Sequence, residues 1–254
     1  MSAGTDETRI PNWKKIIYFI FHTLFIFLLG TGFIFAHDMV TKTKEFPIKK
    51  IKITGNHYLG KEEIKTIAGF FEGDNIFGLN ISMARLKLEN NQWIKNAKVK
   101  RILPDVLEVE ITEEKPLAKI SLKENFIINE QGHLFKKYEN KDKFLGIPEV
   151  TGLNYSDFIN KNHYYSLIME TLKTTNILFN TNSRLHLDKD IGITLYNTDS
   201  FSEILIGFTD LEKKIKSLSI VKLYLKKKFN EIKIEKINLS NKNRVVLKPF
   251  PAMG

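Results

Sequence analysis

The chain contains no cysteine. That excludes a disulfide-stapled domain, a thiolate metal site and a cysteine-nucleophile enzyme, because each needs sulfur. Arginine is nearly as scarce: Arg9, Arg85, Arg101, Arg184 and Arg244 are the arginines among 39 basic side chains. The net charge of +10 is therefore carried by lysine. Lysine is a point charge, without the planar fork that reads bases and grips phosphates bidentately, so nucleic acid is not an expected partner. The histidines His22, His37, His57, His133, His163 and His186 are far apart and form no H-x-H or H-E-x-x-H pattern, so no metal site and no cofactor is expected. There is no P-loop, dinucleotide fingerprint or G-x-S-x-G either, hence no expected catalytic residue and no small-molecule substrate. Carboxylates mostly interleave with lysines as solvated charges do, and Glu113-Glu114 reads as the end of a strand. Apolar residues, by contrast, make up 43% of the chain, which excludes general disorder.

Part of that apolar content is concentrated in Ile16 to Ala36, a run without a charged side chain. Its roughly 21 residues, at about 1.5 Å each, span about 31 Å, the thickness of a bilayer's hydrocarbon core. Trp13 and Tyr18 stand where an interfacial belt would be, and Lys14 and Lys15 close the run on its N-terminal side. A cleavable signal, with Gly30 and Gly32 as its small residues, is the competing reading, but a signal's apolar region usually spans only about 7–15 residues. Residues 1–15 are then a short cytoplasmic tail, 16–36 a transmembrane helix and 37–46 a linker. Flanking charge argues the other way: Arg9, Lys14 and Lys15 precede the span, whereas Lys42, Lys44, Lys49, Lys50 and Lys52 follow it. The last three belong to a predicted strand, however, and long domains translocate largely regardless of charge.

Residues 47–118 read as one α+β unit. Ile51 and Ile53 alternate with Lys50 and Lys52 and lead into Gly55-Asn56, a strand and its turn. Gly60 opens a helix with Ile64, Ile67 and Ala68 on one face, ending near Gly69, and Asn80 caps a second helix with Ile81, Ala84, Leu86 and Leu88 as apolar positions. The large apolar side chains of the loop between them, Phe70 to Phe77, are expected to cover a core. Trp93 and Ala97 stand where a helix meets a strand, so Trp93 is expected in the core. Lys98 to Ile102 and Val106 to Ile111 follow as strands, turned by Pro104-Asp105, with Leu107, Val109 and Ile111 facing inward. Arg101 is expected to pair with a carboxylate. The order is strand, helix, helix, strand, strand.

Residues 119–248 read as a second unit, a mostly antiparallel curved sheet with a long helix. Lys119 to Leu122, Phe126 to Ile128, His133 to Phe135, Arg184 to Leu187, Ile191 to Tyr196 and Glu203 to Gly207 are strand candidates, with a helix around Ser166 to Leu172. Thr209-Asp210-Leu211-Glu212 has capping-box spacing and opens a helix reaching about Phe229. Leu211, Ile215, Leu218 and Leu225 supply its apolar face, with Lys213, Lys214, Lys216, Lys222, Lys226, Lys227 and Lys228 on the solvated side. Ile232 to Leu239 and Val245 to Leu247 flank a turn at Asn241-Lys242-Asn243, and residues 249–254 form a short tail.

Ile51 to Asn56, Gly73-Asp74-Asn75-Ile76-Phe77 and Trp93 to Arg101 together resemble a POTRA domain. Leu103-Pro104-Asp105-Val106-Leu107 and Glu113-Glu114-Lys115-Pro116-Leu117-Ala118 extend the string to one similar to the FtsQ/DivIB cell-division family, with Gln92 where a proline is usual and Val106 where threonine is common. The resemblance is weaker in the second unit, where Asn238-Leu239-Ser240-Asn241 lacks the family's usual arginine and aromatic. It implies a single-pass inner-membrane protein with periplasmic domains, of Gram-negative type, enriched at the septum and working by binding. It also implies FtsB/FtsL-like partners that add a strand to the last strand, here Val245, Val246, Leu247 and Lys248, with lipid contact through one helix. The alternative is a POTRA-bearing accessory for protein transport or outer-membrane assembly, against which the anchor and the single POTRA copy count.

Overall fold

The computed structural model describes residues 12–42, 45–175, 179, 182–198, 201–228, 234–241 and 244–249. Expectations for Arg9, Lys44, Phe229, Ile232, Lys242, Asn243, the side chains of Lys222, Leu225, Lys226, Lys227 and Lys228, and residues 250–254 lie outside it. The chain divides into two compact units, Met1–Glu113 and Glu114–Gly254.

The first unit begins with helix α1, Asn12–Lys42. The large apolar side chains from Ile16 to Phe35 are more than half exposed. A helix this apolar on every side is matched to lipid, not to water. Its few polar atoms are satisfied along the helix, as a hydrocarbon environment demands. Thr23 Oγ1 donates to Phe19 O at 2.8 Å, Thr31 Oγ1 to Phe27 O at 3.0 Å, and His22 Nδ1 lies 2.6 Å from Tyr18 O. A carbonyl cannot donate, so this His22 nitrogen carries the proton. The stretch expected as a linker is instead helical through Lys42, where Lys42 pairs with Asp38 one turn back at 2.6 Å.

Beyond α1 come β1 (Lys50–Thr54), α2 (Lys61–Ala68), α3 (Ile81–Glu89), β2 (Ile94–Ile102) and β3 (Val106–Glu113). The three strands form a sheet of order β1-β3-β2, with β1 parallel and β2 antiparallel to β3. Inward-facing Ile53, Val99, Leu107, Val109 and Ile111 are buried, as are Ile64, Ala68, Ala84 and Leu88 from the helices. Helix α2 stops where Gly69 enters the left-handed region (φ 74°) and returns its N–H to Lys65 O. Helix α3 starts where Asn80 Oδ1 accepts the Met83 N–H at 3.0 Å. Trp93 is buried, as expected, with its ring 5.0 Å from that of Tyr58. Arg101 corrects its expectation: it donates from Nε to Ile76 O at 2.6 Å and from Nη2 to Leu79 O, tying down a loop instead of meeting a carboxylate.

The second unit is built on β4 (Pro116–Ser121), β5 (Asn125–Asn129), β6 (Leu134–Lys137), β7 (Glu149–Thr151), β8 (Arg184–Asp188), β9 (Gly192–Tyr196), β10 (Glu203–Gly207), β11 (Ile234–Asn238) and β12 (Val246–Pro249). They form one nine-stranded sheet of order β12-β11-β10-β9-β8-β7-β4-β5-β6. Five of its eight neighbouring pairs are antiparallel, so the sheet is mostly antiparallel as expected. The parallel pairs join β10 to β11 and set β7 between β4 and β8. Residues 116–118, placed above with the first unit, pair with β5. Helices α4 (Tyr155–Ile159), α5 (His163–Thr175) and α6 (Leu211–Lys228) complete the unit. Ile120, Val150, Leu185, Leu195, Ile204 and Ile237 from the strands share one core with Ile168 and Leu172 of α5 and Leu211, Ile215 and Leu218 of α6.

Two expectations for α6 change. The helix begins at Leu211, so Asp210, held at φ 60°, stands in the flanking position expected for Thr209. Lys214 is not solvated: it is buried, and its Nζ donates to Ile206 O at 2.7 Å, which offsets the cost of burying the amine.

Candidate partner-binding edge

Among the described residues the sheets present four outer strands, β1 and β2 in the first unit, β6 and β12 in the second. Each leaves backbone N–H and C=O groups on one side without a strand neighbour, and charge along such an edge discourages pairing. Strand β1 carries exposed Lys50 and Lys52, and β2 exposed Lys95, Lys98 and Lys100. Strand β6 is guarded differently. Lys136, itself buried, pairs with buried Asp142 at 2.6 Å in the two-turn 3-10 helix Asn140–Leu145, and Lys137 reaches Glu124 at 2.7 Å.

Strand β12 is guarded more lightly: Val246, Leu247, Lys248 and Pro249 are all exposed, and its one charge, Lys248, pairs with Glu235 of β11 at 3.0 Å, with Pro249 closing the strand. The register sets Ile234 opposite Pro249, Lys236 opposite Lys248, Ile237 opposite Leu247 and Asn238 opposite Val246. Its partner β11 is fixed to the core through buried Ile234 and Ile237, and Leu239 N–H donates to Leu205 O at 2.7 Å just beyond it. The pair thus offers a rigid inner strand and an open outer one. The expected set Val245, Val246, Leu247 and Lys248 is corrected at one end, because Val245 precedes the strand. The ladder stops there since Asn238, opposite Val246, turns the chain by accepting the Ser240 N–H at 2.9 Å and the Ser240 hydroxyl at 2.7 Å on Oδ1.

The remaining polar clusters hold structure. Glu113, at the end of β3, is buried and accepts the N–H groups of His57, Tyr58 and Leu59 at 2.8, 2.8 and 2.9 Å. Glu149 joins three strands, with Lys119 Nζ at 2.8 Å, Arg184 Nε at 3.1 Å and Ser121 Oγ at 3.1 Å. Burial alone would raise its carboxyl, but the Lys119 ammonium, with Ser121 and Arg184, outweighs that and holds it below the usual carboxylate range. Asp157 is likewise held low, first by Lys189 at 2.9 Å, with Asn162 at 2.7 Å also donating. Among the described residues no group of three His, Asp or Glu side chains is placed to hold a metal ion.

Sequence reasoning passed over Lys136 and Asp142, and it placed Glu113 at a strand end, where β3 does end, without its inward role. For Glu113 a signal was present: the alternation Leu107, Val109, Ile111 continues to residue 113, on the inward face.

Comparison with known proteins agrees with this architecture. Residues 46–114 match the family described as POTRA domain, FtsQ-type. The chain is 27% identical over 252 residues to the cell division protein FtsQ of Syntrophotalea carbinolica, covering 94% of this chain and 88% of that one. It is 24% identical over 220 residues to FtsQ of Geotalea daltonii, covering 84% and 79%. Similarity to FtsQ of Rickettsia bellii reaches 30% over 108 residues, covering 42% and 40%. With an apolar helix at its N-terminus, an FtsQ-type POTRA domain over residues 46–114 and a mostly antiparallel sheet after it, the chain is similar to cell division proteins FtsQ along most of its length.

Proposed function

We propose that the protein is a divisome scaffold that acts by binding and not by catalysis, linking early and late division proteins at the septum. In this reading α1 anchors it in the inner membrane, and the two units after it lie in the periplasm. Its partners are other divisome membrane proteins, foremost FtsB/FtsL-like ones, which add a strand along Val246, Leu247 and Lys248 with Val245 beside it. The observation that carries the reading is the β12 edge, exposed, apolar and backed by a fixed inner strand. Main-chain pairing supplies affinity at such an edge, and pockets for alternate side chains supply selectivity.

Depletion combined with a fluorescent fusion tests the cellular part. Filamentous cells and a midcell signal are expected, whereas normal septation with defective outer-membrane assembly would sink the division scaffold in favour of a transport accessory. Val246→Pro tests the edge, since proline removes an N–H and resists a paired strand. Partner co-purification should fall with the variant still folded; undiminished recovery would remove β12 as the interface.

A further inference from the structure

We propose that the end of the POTRA domain next to α1 rests in the surface of the bilayer, with Phe71, Ile102 and Leu103 at the boundary between headgroups and acyl chains. The proposal relies on α1 being the membrane span. It begins with a group of exposed apolar side chains: Phe46 is 37% exposed, Ile102 44%, Phe71 48% and Leu103 59%. They come from three separate segments that backbone hydrogen bonds draw to one end of the domain. Ile76 N–H donates to Phe46 O at 2.9 Å, Gly73 N–H to Ile48 O at 2.9 Å and Ile48 N–H to Asp74 O at 2.8 Å. Lys49 N–H donates to Asp105 O at 2.9 Å, which brings the turn holding Leu103 alongside. Arg101 binds the same loop from below through the Ile76 and Leu79 carbonyls.

That end is also fastened to the anchor. The last carbonyls of a helix lack intrahelical partners, and Asn75 supplies one. Its Nδ2 donates to Val40 O at 2.8 Å and Thr41 O at 3.1 Å, while its Oδ1 accepts the Phe77 N–H at 2.8 Å. Gly78 approaches so closely that a Cβ there would lie 2.5 Å from Thr41 O. The anchor and the apolar end are thus one continuous piece, which identifies lipid as what covers the patch.

Depth arithmetic agrees. The apolar run ends at Ala36, five residues before Thr41, so the Thr41 carbonyl stands about 7.5 Å beyond the hydrocarbon if α1 is upright, and less if it tilts. The headgroup layer on each side is roughly 5–8 Å thick. The loop held by Asn75 therefore sits at headgroup level, where exposed aromatic and aliphatic side chains gain by burial at the acyl boundary. Lys95, at the other end of β2 from Ile102, is about 23 Å away along the strand.

The absence of cysteine makes the test direct. The full chain is reconstituted into phosphatidylethanolamine/phosphatidylglycerol vesicles as single variants Leu28→Cys, Phe71→Cys, Leu103→Cys and Lys95→Cys. Each carries an environment-sensitive fluorophore, and quenching by lipids spin-labelled near the headgroup end of the acyl chain is measured. Labels at Phe71 and Leu103 should be quenched several-fold more than the label at Lys95. Quenching at either site no greater than at Lys95 overturns the proposal. A Leu28 label that is quenched in that case leaves the anchor standing, whereas an unquenched Leu28 label would remove the anchor as well.

Discussion

Glu113 offers the sharpest test of what holds the POTRA unit together. In Glu113→Ala the N–H groups of His57, Tyr58 and Leu59 lose one shared acceptor. The Leu59 N–H is buried and cannot turn to water, which costs about 1–3 kcal/mol. Those of His57 and Tyr58 are part-buried and recover some hydration, so each forfeits about 0.5–1 kcal/mol of net bonding. The sum is about 2–5 kcal/mol, a large share of the roughly 5–15 kcal/mol that stabilises a domain. At about 4–8 °C per kcal/mol for a unit of this size, melting should fall by about 8–40 °C. Glu113→Gln keeps an oxygen acceptor but turns an NH2 toward at least one N–H, so it should lose less. The assay is the fluorescence of Trp93, whose ring stacks near Tyr58 beside the affected loop, followed in a Trp13→Phe background during thermal unfolding. A Glu113→Ala protein melting within about 1 kcal/mol of its parent, less than a single charged hydrogen bond is worth, would refute the reasoning.

Other consequences concern the second unit. Asp142→Ala takes from the buried Lys136 ammonium the carboxylate 2.6 Å away, leaving it the Lys137 carbonyl at 3.2 Å and the exposed Glu139 at 4.0 Å, and should cost up to about 3–5 kcal/mol in denaturant unfolding. The double change Lys136→Met with Asp142→Ala should cost less, because no charge is then left buried; equal losses would show that the pair is not what matters. Acid should weaken this unit through Glu149, whose carboxyl is lower in the folded chain than unfolded. A depressed carboxyl contributes stability that is full above its unfolded value near pH 4.3 and disappears as pH falls through the lower folded value. Glu149→Gln should therefore flatten the loss of stability below about pH 4.5, and an unchanged acid limb in urea melts at stepped pH would count against the cluster. Gly152 has φ 87° and a Cβ there would fall 1.9 Å from Leu187 O. Gly152→Ala should lower the unfolding free energy, read from the urea midpoint, by more than the roughly 1 kcal/mol typical of a point mutation.

Much of the POTRA unit was legible because its signals are local. Alternation marked β1 and β3, Gly69 and Asn80 marked helix ends, and the run after Lys15 marked the anchor. Strand β7 was not legible. Three residues, Glu149–Thr151, carry no period, and the strand exists because β4 and β8 close on it from both sides. The same holds for Arg101, whose targets are carbonyls of a loop more than twenty residues earlier. Lys214 shows that spacing outweighs residue type in placing a helical side chain. It lies three residues after Leu211 and four before Leu218, on the apolar face by spacing, and it is buried there despite its charge because the Ile206 carbonyl accepts its hydrogen bond. Glu113 repeats the lesson in a strand. At the β12 edge the sequence carried an apolar run near the C-terminus, but only the sheet order made it an outer strand. Where it starts was set by the Asn238 turn, which alternation does not report.

The central claim is that a partner strand completes the sheet along β12. Hydrogen–deuterium exchange of the chain, alone and with the FtsB/FtsL-like complex proposed as its partner, measures this at the backbone itself. The amides of Val246, Leu247 and Lys248 should exchange more slowly in the complex, while those of β2 and β6 keep their rates. Slowed exchange along β2 or β6 with β12 unchanged would contradict the account.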